Sequence, residues 1–416
     1  MKRFLSVICL LLTLCMILPA CGGTVETTDL VDPGDYTEMP ESQSQSEAEA
    51  ESESESKVES KTEDKAEETE PEEEIYMKRT YTMKDAEGLF NPLGRTAMVG
   101  TALTIDWTGA GAAFSAECKG DFKITFNAGS NSIYLRVEVD GEITKNFKVN
   151  KGTGTYVIAE DLEEGLHNIR IVSEPGYGRW NCSELLSVTL TGKLLKEKPK
   201  DVYIEVIGDS ITHGAGLSSM LDGNGKNMND GTLTYAYVAI DQLDVDYSIM
   251  ANGGMGFAYA ADMENLVNLR YMYQCDKRNT DPYVPTRTPD LIVINLHTND
   301  NYQWFLKKNP DKTVFYEAFD KEVDTLLASF DQLYGEKKVP ILFVFGCMAT
   351  SAYTDATDRL QTLIKTKYIP AGYDIETVTL TTDRSGSASH PTVAGAKKQG
   401  DELAAYIKST YYYIFN

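Results

Sequence analysis

A chain of 416 residues, 42% hydrophobic and 25% charged, is long enough for two domains. Its formal net charge of −24 and the absence of a basic stripe exclude nucleic acid as a partner. Seven cysteines and four histidines form no Cys-x-x-Cys pair and no Cys/His cluster, so neither a zinc site nor another metal is indicated, and no organic cofactor is called for.

Residues 1–23 open with Lys2 and Arg3, continue with the 14-residue stretch "FLSVICLLLTLCMI" and end in "LPACGG". A membrane-spanning helix needs ~20 apolar residues, so a permanent span is the weaker reading. The Leu-Pro-Ala-Cys ending resembles the lipobox of a bacterial lipoprotein signal. That resemblance implies lipidation of Cys21 and an exported protein anchored to the outer face of the cell membrane. A plain secretory signal that leaves Cys21 bare is the alternative.

Residues 24–77 carry 20 Asp and Glu against three Lys and almost nothing apolar. Such a segment cannot bury enough surface to offset its ordering entropy, and its charges repel one another. It reads as a disordered acidic linker, about 40 Å across as a random coil. It also holds most of the net charge.

Across residues 78–198 the pattern has period two. Phe122, Ile124 and Phe126 share one face, as do Ile133, Leu135, Val137 and Val139, with a hairpin turn at Asp140–Gly141. Ile169, Ile171, Val188 and Leu190 continue the alternation. Several short strands without a convincing helix indicate a β-sandwich. Such a module either binds glycan through aromatic residues or serves as a packing spacer. Cys118 and Cys182 both fall here and are candidates for pairing.

In residues 199–416 short apolar runs alternate with helical patterns. "VYIEVIG", "VDYSIMA", "DLIVINL", "VPILFVFG" and "IETVTLT" read as strands of a parallel sheet buried on both faces. Helices are expected over residues 313–335, 353–368 and 392–414. In the last, Val393, Ala396, Gly400, Leu403 and Ile407 form one stripe. This is a doubly wound α/β sheet, whose ligands gather at the carboxyl ends of its strands.

Four short blocks follow those strand ends: "GDSITHGAG" with Ser210, "NGGMG" with Gly254, "HTND" with Asn299, and "SHP" with His390. A serine between strand and helix sits on a tight turn, with helix N–H groups near developing negative charge. Taken alone, Gly-Asp-Ser is equally a turn. Together the blocks resemble those of the SGNH (GDSL-type) hydrolases, and the sandwich placed before them is similar to that of family 2 carbohydrate esterases.

The resemblance implies an SGNH-hydrolase sheet preceded by a jelly-roll-like sandwich. It further implies Ser210 as nucleophile, His390 as base, and an oxyanion hole from Ser210, Gly254 and Asn299, with Gly253 the rival backbone donor. The other three histidines are placed differently. His167 falls in a sandwich strand, His213 beside the pocket rim, and His297 where the family has glycine. There His297 either contacts the acyl group or is an inert substitution. Trp304, Tyr302 and Phe257 are candidate sugar-stacking walls, with burial in the core as the alternative.

One position departs from the family. Its acid stands three residues before the histidine, where this chain has Ser387. Either a backbone carbonyl holds the imidazole, as in a Ser–His dyad, or Asp383 reaches back as a possible orienting acid. The resulting expectation is an exported, lipid-anchored carbohydrate O-acetyl esterase acting through an acetyl-enzyme. A general SGNH esterase acting on lipid or cell-envelope acetyl groups is the rival enzyme. A non-catalytic glycan-binding lipoprotein is the rival from another class.

Overall fold

The computed structural model describes residues 75–416 apart from 175–182, 222–224, 262, 273–281, 308–310 and 336–337. The expected signal with Cys21, nearly all of the acidic linker, Cys182 and Cys275 lie outside the described residues.

The first part is a nine-stranded antiparallel sheet. Its strands are β1 (Lys78–Thr82), β2 (Phe90–Leu93), β3 (Ala97–Val99), β4 (Ala102–Thr104), β5 (Gly111–Asn127), β6 (Ile133–Val139), β7 (Glu142–Val149), β8 (Thr153–Ser173) and β9 (Glu184–Leu195). They run in the order β3-β4-β9-β5-β8-β6-β7, with β1 on β9 and β2 on β5. Register shifts between Cys118 and Phe122 interrupt the β5–β8 ladder. Such bulges bend the long strands and give the sheet its sandwich-like form. Phe114, Phe122, Ile124, Phe126, Leu135 and Ile171 all point into the core. The expected hairpin joins β6 to β7 through Asp140 (φ +52°) and Gly141 (φ +87°). Cys118 is buried in β5, and burial pushes its thiol up to about 11.

The second part is a five-stranded parallel sheet of β10 (Tyr203–Gly208), β11 (Asp246–Ala251), β12 (Leu291–Asn295), β13 (Ile341–Phe345) and β14 (Ile375–Thr379), ordered β11-β10-β12-β13-β14. Every residue of β10 to β13 is buried, which accounts for their mostly apolar runs, with Glu205, Asp246, Ser248 and Asn295 the buried polar exceptions. Helices Lys312–Tyr334 and Val393–Thr410 form where expected, whereas the pattern over 353–368 gives helix Asp355–Leu363 and then a wider π turn, Ile364–Tyr368.

Two expectations need correction. Val393 does not join the buried stripe of the last helix, since it is 47% exposed while Ala396, Gly400, Leu403 and Ile407 are buried. Helix Tyr235–Leu243 went unanticipated, because it is short and apolar except for Asp241 and Gln242, so its stripe of Ala236, Ala239, Ile240 and Leu243 does not stand out. The two helices cross closely at Gly400, where a Cβ would stand 2.6 Å from that of Val238.

The two sheets share a polar seam. Tyr247 Oη donates to Gly109 O (2.7 Å), Gly94 N donates to Tyr247 O (3.0 Å), and Asn91 Nδ2 donates to Asp246 Oδ1 (2.8 Å). Arg95, from the turn after β2, inserts beside β10 and reaches Glu205 Oε1 at 3.5 Å.

Candidate active site

β10 runs straight into the site. It ends at Gly208, buried Asp209 caps the short helix Ser210–His213 by accepting from Ile211 N (3.0 Å), and Ser210 is that helix's first residue. From the other side, the loop after β14 brings His390 Nε2 to 2.7 Å from Ser210 Oγ. His390 Nδ1 lies 3.2 Å from the carbonyl oxygen of Ser387. A carbonyl can only accept, so Nδ1 carries the hydrogen and Nε2 offers its lone pair to the Ser210 hydroxyl. Burial holds His390 below its ordinary range, and hydrogen bonds to the backbone at Ser387 and Ala388 partly offset it.

Asp383 does not face the imidazole. Its Oδ1 accepts from Ser385 N and Oγ (2.9 and 2.5 Å), and its Oδ2 accepts from Thr392 N and Oγ1 (2.8 and 2.7 Å). These four bonds hold its carboxyl well below the usual range. It ties together the two ends of the His390 loop; the carbonyl of Ser387 is what meets Nδ1. Within that loop Ala388 (φ +52°) and Ser389 (φ +63°) are both left-handed, a conformation that costs a non-glycine residue on the order of 1–3 kcal/mol. Gly216 (φ +71°) makes room for the loop, since a Cβ there would stand 2.7 Å from that of Ser387.

The loop after β11 carries Gly253 and Gly254. Gly254 has φ +80°, and a Cβ there would stand 2.6 Å from that of Ala261, so the position requires glycine. Gly253 O accepts from Asn265 Nδ2 (2.7 Å). Asn299 lies in the first turn of helix Thr298–Lys307, after β12. Its Nδ2 donates to Met255 O (2.8 Å) and, more loosely, to Asp209 Oδ2 (3.3 Å). Asn299 thereby bridges the serine turn and the glycine loop.

The sequence reading missed a residue that organises this loop. Asp300 is fully buried and accepts from Phe257 N (2.9 Å), Ala258 N (2.8 Å) and Tyr259 N (2.8 Å). Burial raises Asp300 to about 6; burial, together with the neighbouring charge of Asp300, raises Asp209 to about 7. The signal was present, since Asp300 is the acid next to Asn299 in "HTND". Among the described residues no group of His, Cys, Asp and Glu is placed to hold a metal ion.

The remaining candidates separate. His213 is buried, with Nδ1 3.3 Å from Asn229 Nδ2. His167 pairs with Asp140 (2.8 Å) and the Glu163 carbonyl (2.9 Å) in the antiparallel sheet. His297 is 7% exposed, packs 5.0 Å from the Phe345 ring and lines a cavity at the ends of β12 and β13. Burial lowers it to about 4, so its ring is neutral. Trp304 is not a sugar-stacking wall: it is 4% exposed and stacked on Phe315 at 4.7 Å, because the helix turns it inward. Phe257 is likewise fully buried, while Tyr302 is 43% exposed.

The model of the carbohydrate esterase 2 N-terminal domain matches residues 93–184, and that of the GDSL-like lipase/acylhydrolase matches residues 204–403. Among solved structures, an acetyl xylan esterase from the rumen bacterium Butyrivibrio proteoclasticus has a TM-score of 0.69 and 18% identity, over 80% of this chain and 99% of that one. A family two carbohydrate esterase from Cellvibrio japonicus gives 0.67 and 19%, over 80% and 98%. One from Clostridium thermocellum, in complex with cellohexaose, gives 0.62 and 22%, over 77% and 99%. These likenesses establish a shared fold. No curated protein matches the chain.

Proposed function

We propose that this chain, a GDSL-like acylhydrolase with a carbohydrate esterase 2 N-terminal domain, is a serine esterase that removes O-acetyl groups from carbohydrates. The observation that carries the reading is the 2.7 Å contact between Ser210 Oγ and His390 Nε2, with Nδ1 pinned on a carbonyl. Serine is a poor nucleophile until a neighbouring base accepts its proton, and this geometry leaves only Nε2 to accept it. Ser210 Oγ attacks the acetyl carbon while its proton passes to Nε2. The tetrahedral oxyanion meets the N–H groups of Ser210 and Gly254 and the Asn299 amide, whose bond to Asp209 (3.3 Å) is the longer of its two and the one given up to it. Each such donor is worth about 2.7–4 kcal/mol of barrier.

Collapse of the intermediate breaks the bond to the sugar oxygen, which takes the proton back from His390. The products at this stage are a free hydroxyl and acetyl-Ser210. Water, deprotonated at Nε2, then attacks the acetyl-enzyme and releases acetate. The carbohydrate class rests on the N-terminal domain type and on relatives described as carbohydrate esterases, one of them holding cellohexaose.

Acetate release from acetylated xylan by the full chain in detergent is the direct test, with folded Ser210→Ala expected to be inactive. Parental turnover by that variant overturns the nucleophile. Hydrolysis of lipid acetyl esters with none of acetylated glycans favours the general esterase instead.

The lipobox-like "LPAC" supports a second part of the proposal: Cys21 anchors the enzyme on the outer face of the cell membrane, and the acidic segment sets it off from the surface. Cys21→Ser should then move the protein from the membrane fraction to the medium. Retention in the membrane argues against the anchor.

A further inference from the structure

A cavity of about 380 Å³ opens where the β6–β7 hairpin of the antiparallel sheet faces helix Tyr235–Leu243. Small-molecule pockets span ~300–1,000 Å³ and favour such junctions between domains. This one shares no lining residue with the space beneath the Ser210–His390 pair or with the cavity beside His297.

The polar groups on its walls are, with one exception, already engaged. Thr232 Oγ1 donates to Asp230 Oδ1 (2.5 Å). Gln242 Nε2 and Lys397 Nζ both donate to Asp401 Oδ1 (2.6 and 2.9 Å). Glu138 Oε2 accepts from Arg170 Nη1 (3.2 Å), which also lies 3.9 Å from Asp241 Oδ1. Both acids of the lining therefore face a cation. The hydroxyl of Tyr237 is sealed away from the cavity.

Arg136 is the exception. On β6 it stands between Leu135 and Val137, which point into the sandwich core, so its own side chain points the other way, toward the helix. It is only 7% exposed, yet among the described residues nothing bonds to or pairs with its guanidinium. Nε is closed off without a partner, so the accessible surface that remains on the guanidinium belongs to Nη1 and Nη2, and Arg136 lines the cavity. Glu174 feels this charge without touching it. Burial and the charge of Asp230 push Glu174 up to about 7, against the pull of Arg136. Near neutrality Glu174 is thus partly protonated and compensates Arg136 only in part.

Arginine is almost never buried to this extent unless it is paired. Two unpaired Nη groups at a cavity wall call for a ligand that brings an acceptor to each. The planar fork of a guanidinium matches a carboxylate in two parallel bonds. Ile143 and Val393, 57% and 47% exposed, also line the cavity and offer apolar surface to the body of such an acid.

We propose that this cavity is a carboxylate-binding site, in which Nη1 and Nη2 of Arg136 clamp the acid group of an organic anion of about monosaccharide size. The proposal rests on the esterase reading for the source of that anion, a uronic acid residue of an acidic glycan. Val393 follows His390 by three residues, so the acid is held close to the loop that carries the base.

Calorimetric binding to the full Ser210→Ala chain in detergent tests it, with sodium glucuronate, glucuronosyl-xylotriose, neutral xylotetraose and sodium acetate as probes. Binding is read without turnover, so failure of the esterase reading in the acetate-release assay leaves this result standing. The titrations are repeated with Arg136→Gln, Arg136→Lys and Val393→Asp added to Ser210→Ala. Arg136 has no bond to lose, so Arg136→Gln should melt no lower than the parent. Val393→Asp keeps Arg136 and places a negative charge at an exposed wall position.

Glucuronate and glucuronosyl-xylotriose are expected to bind, at least tenfold more weakly to Arg136→Gln and to Val393→Asp. Arg136→Lys should fall between, since it keeps the charge and loses the fork. No glucuronate binding by the parent, or parental binding by Arg136→Gln and Val393→Asp, overturns the site. Xylotetraose binding that Arg136→Gln weakens equally also overturns it, because Arg136 then serves hydroxyls. Acetate bound as tightly as glucuronate upholds the carboxylate site but overturns the uronate, and gives the site to the free product of the proposed reaction.

Discussion

Arg95 and Glu205 meet at 3.5 Å with neither side chain exposed, which makes a turn of the antiparallel sheet part of the interior of the parallel one. Glu205 Oε2 also accepts from Tyr271 Oη (2.7 Å) and Tyr334 Oη (2.8 Å), and the Arg95 guanidinium lies 3.7 Å from the Tyr283 ring centroid. Burial pushes Glu205 up, while Arg95 and the two hydroxyls pull it down. A buried pair of this kind adds little net stability, but breaking one side strands the other charge.

Arg95→Ala is therefore expected to destabilise the chain by about 3–5 kcal/mol, read as a shift in urea midpoint. Replacing both partners together, as Arg95→Met with Glu205→Leu, should recover much of that loss. Equal damage from the single and double changes would show that the charge pairing is not the cause.

Because the Ser387 carbonyl holds His390, the two acidic-triad expectations part company. His390→Ala should lower kcat by at least ~10³-fold. Asp383→Asn disturbs only the loop bonds to Ser385 and Thr392 and should stay within about tenfold of the parent. Stopped-rate assays on nitrophenyl acetate compare them, and a loss for Asp383→Asn equal to that for His390→Ala would restore Asp383 to the imidazole.

The pH profile follows from the state of the base. Protonated His390 cannot take the Ser210 proton, so activity falls as pH drops through its pKa. Burial lowers that pKa, so the acid limb of kcat/KM governed by this group should lie below the ordinary ~6.5 of histidine. A limb above 6.5 would mean that a negative group faces the ring.

Asp300→Asn turns an amide into an acceptor position facing three N–H donors. One of the bonds to Phe257, Ala258 or Tyr259 must then be lost, and with it the set of the loop that follows Gly254. We expect kcat to fall by about 10²-fold, comparable with removal of an oxyanion donor, with KM little changed. A fall in melting temperature with kcat preserved would reduce Asp300 to a purely structural role.

The strands were legible because burial on one or both faces writes period two or continuous apolarity directly into the residues. All five strands of the parallel sheet lie where the apolar runs stood, with Ser210, Gly254, Asn299 and His390 following strand ends in that order. What escaped was decided by contacts distant in sequence. In Tyr235–Leu243 only Asp241 and Gln242 are polar, so apolar residues beyond the buried stripe blurred its helical signature. Trp304 could not reveal from its neighbours that Phe315 would cover it. The partner of His390 Nδ1 was beyond any side-chain reading, since a carbonyl accompanies every residue and becomes special only through the φ values of the loop.

That last point bears on how the site tolerates change over generations. The oxygen that orients His390 is specified by no codon, so drift at position 387 leaves it in place as long as the side chain clears Gly216. The vulnerable inheritance is the turn itself: a β-branched residue or proline at 388 or 389, where φ is +52° and +63°, would displace the base while every residue of the serine–histidine pair stayed intact.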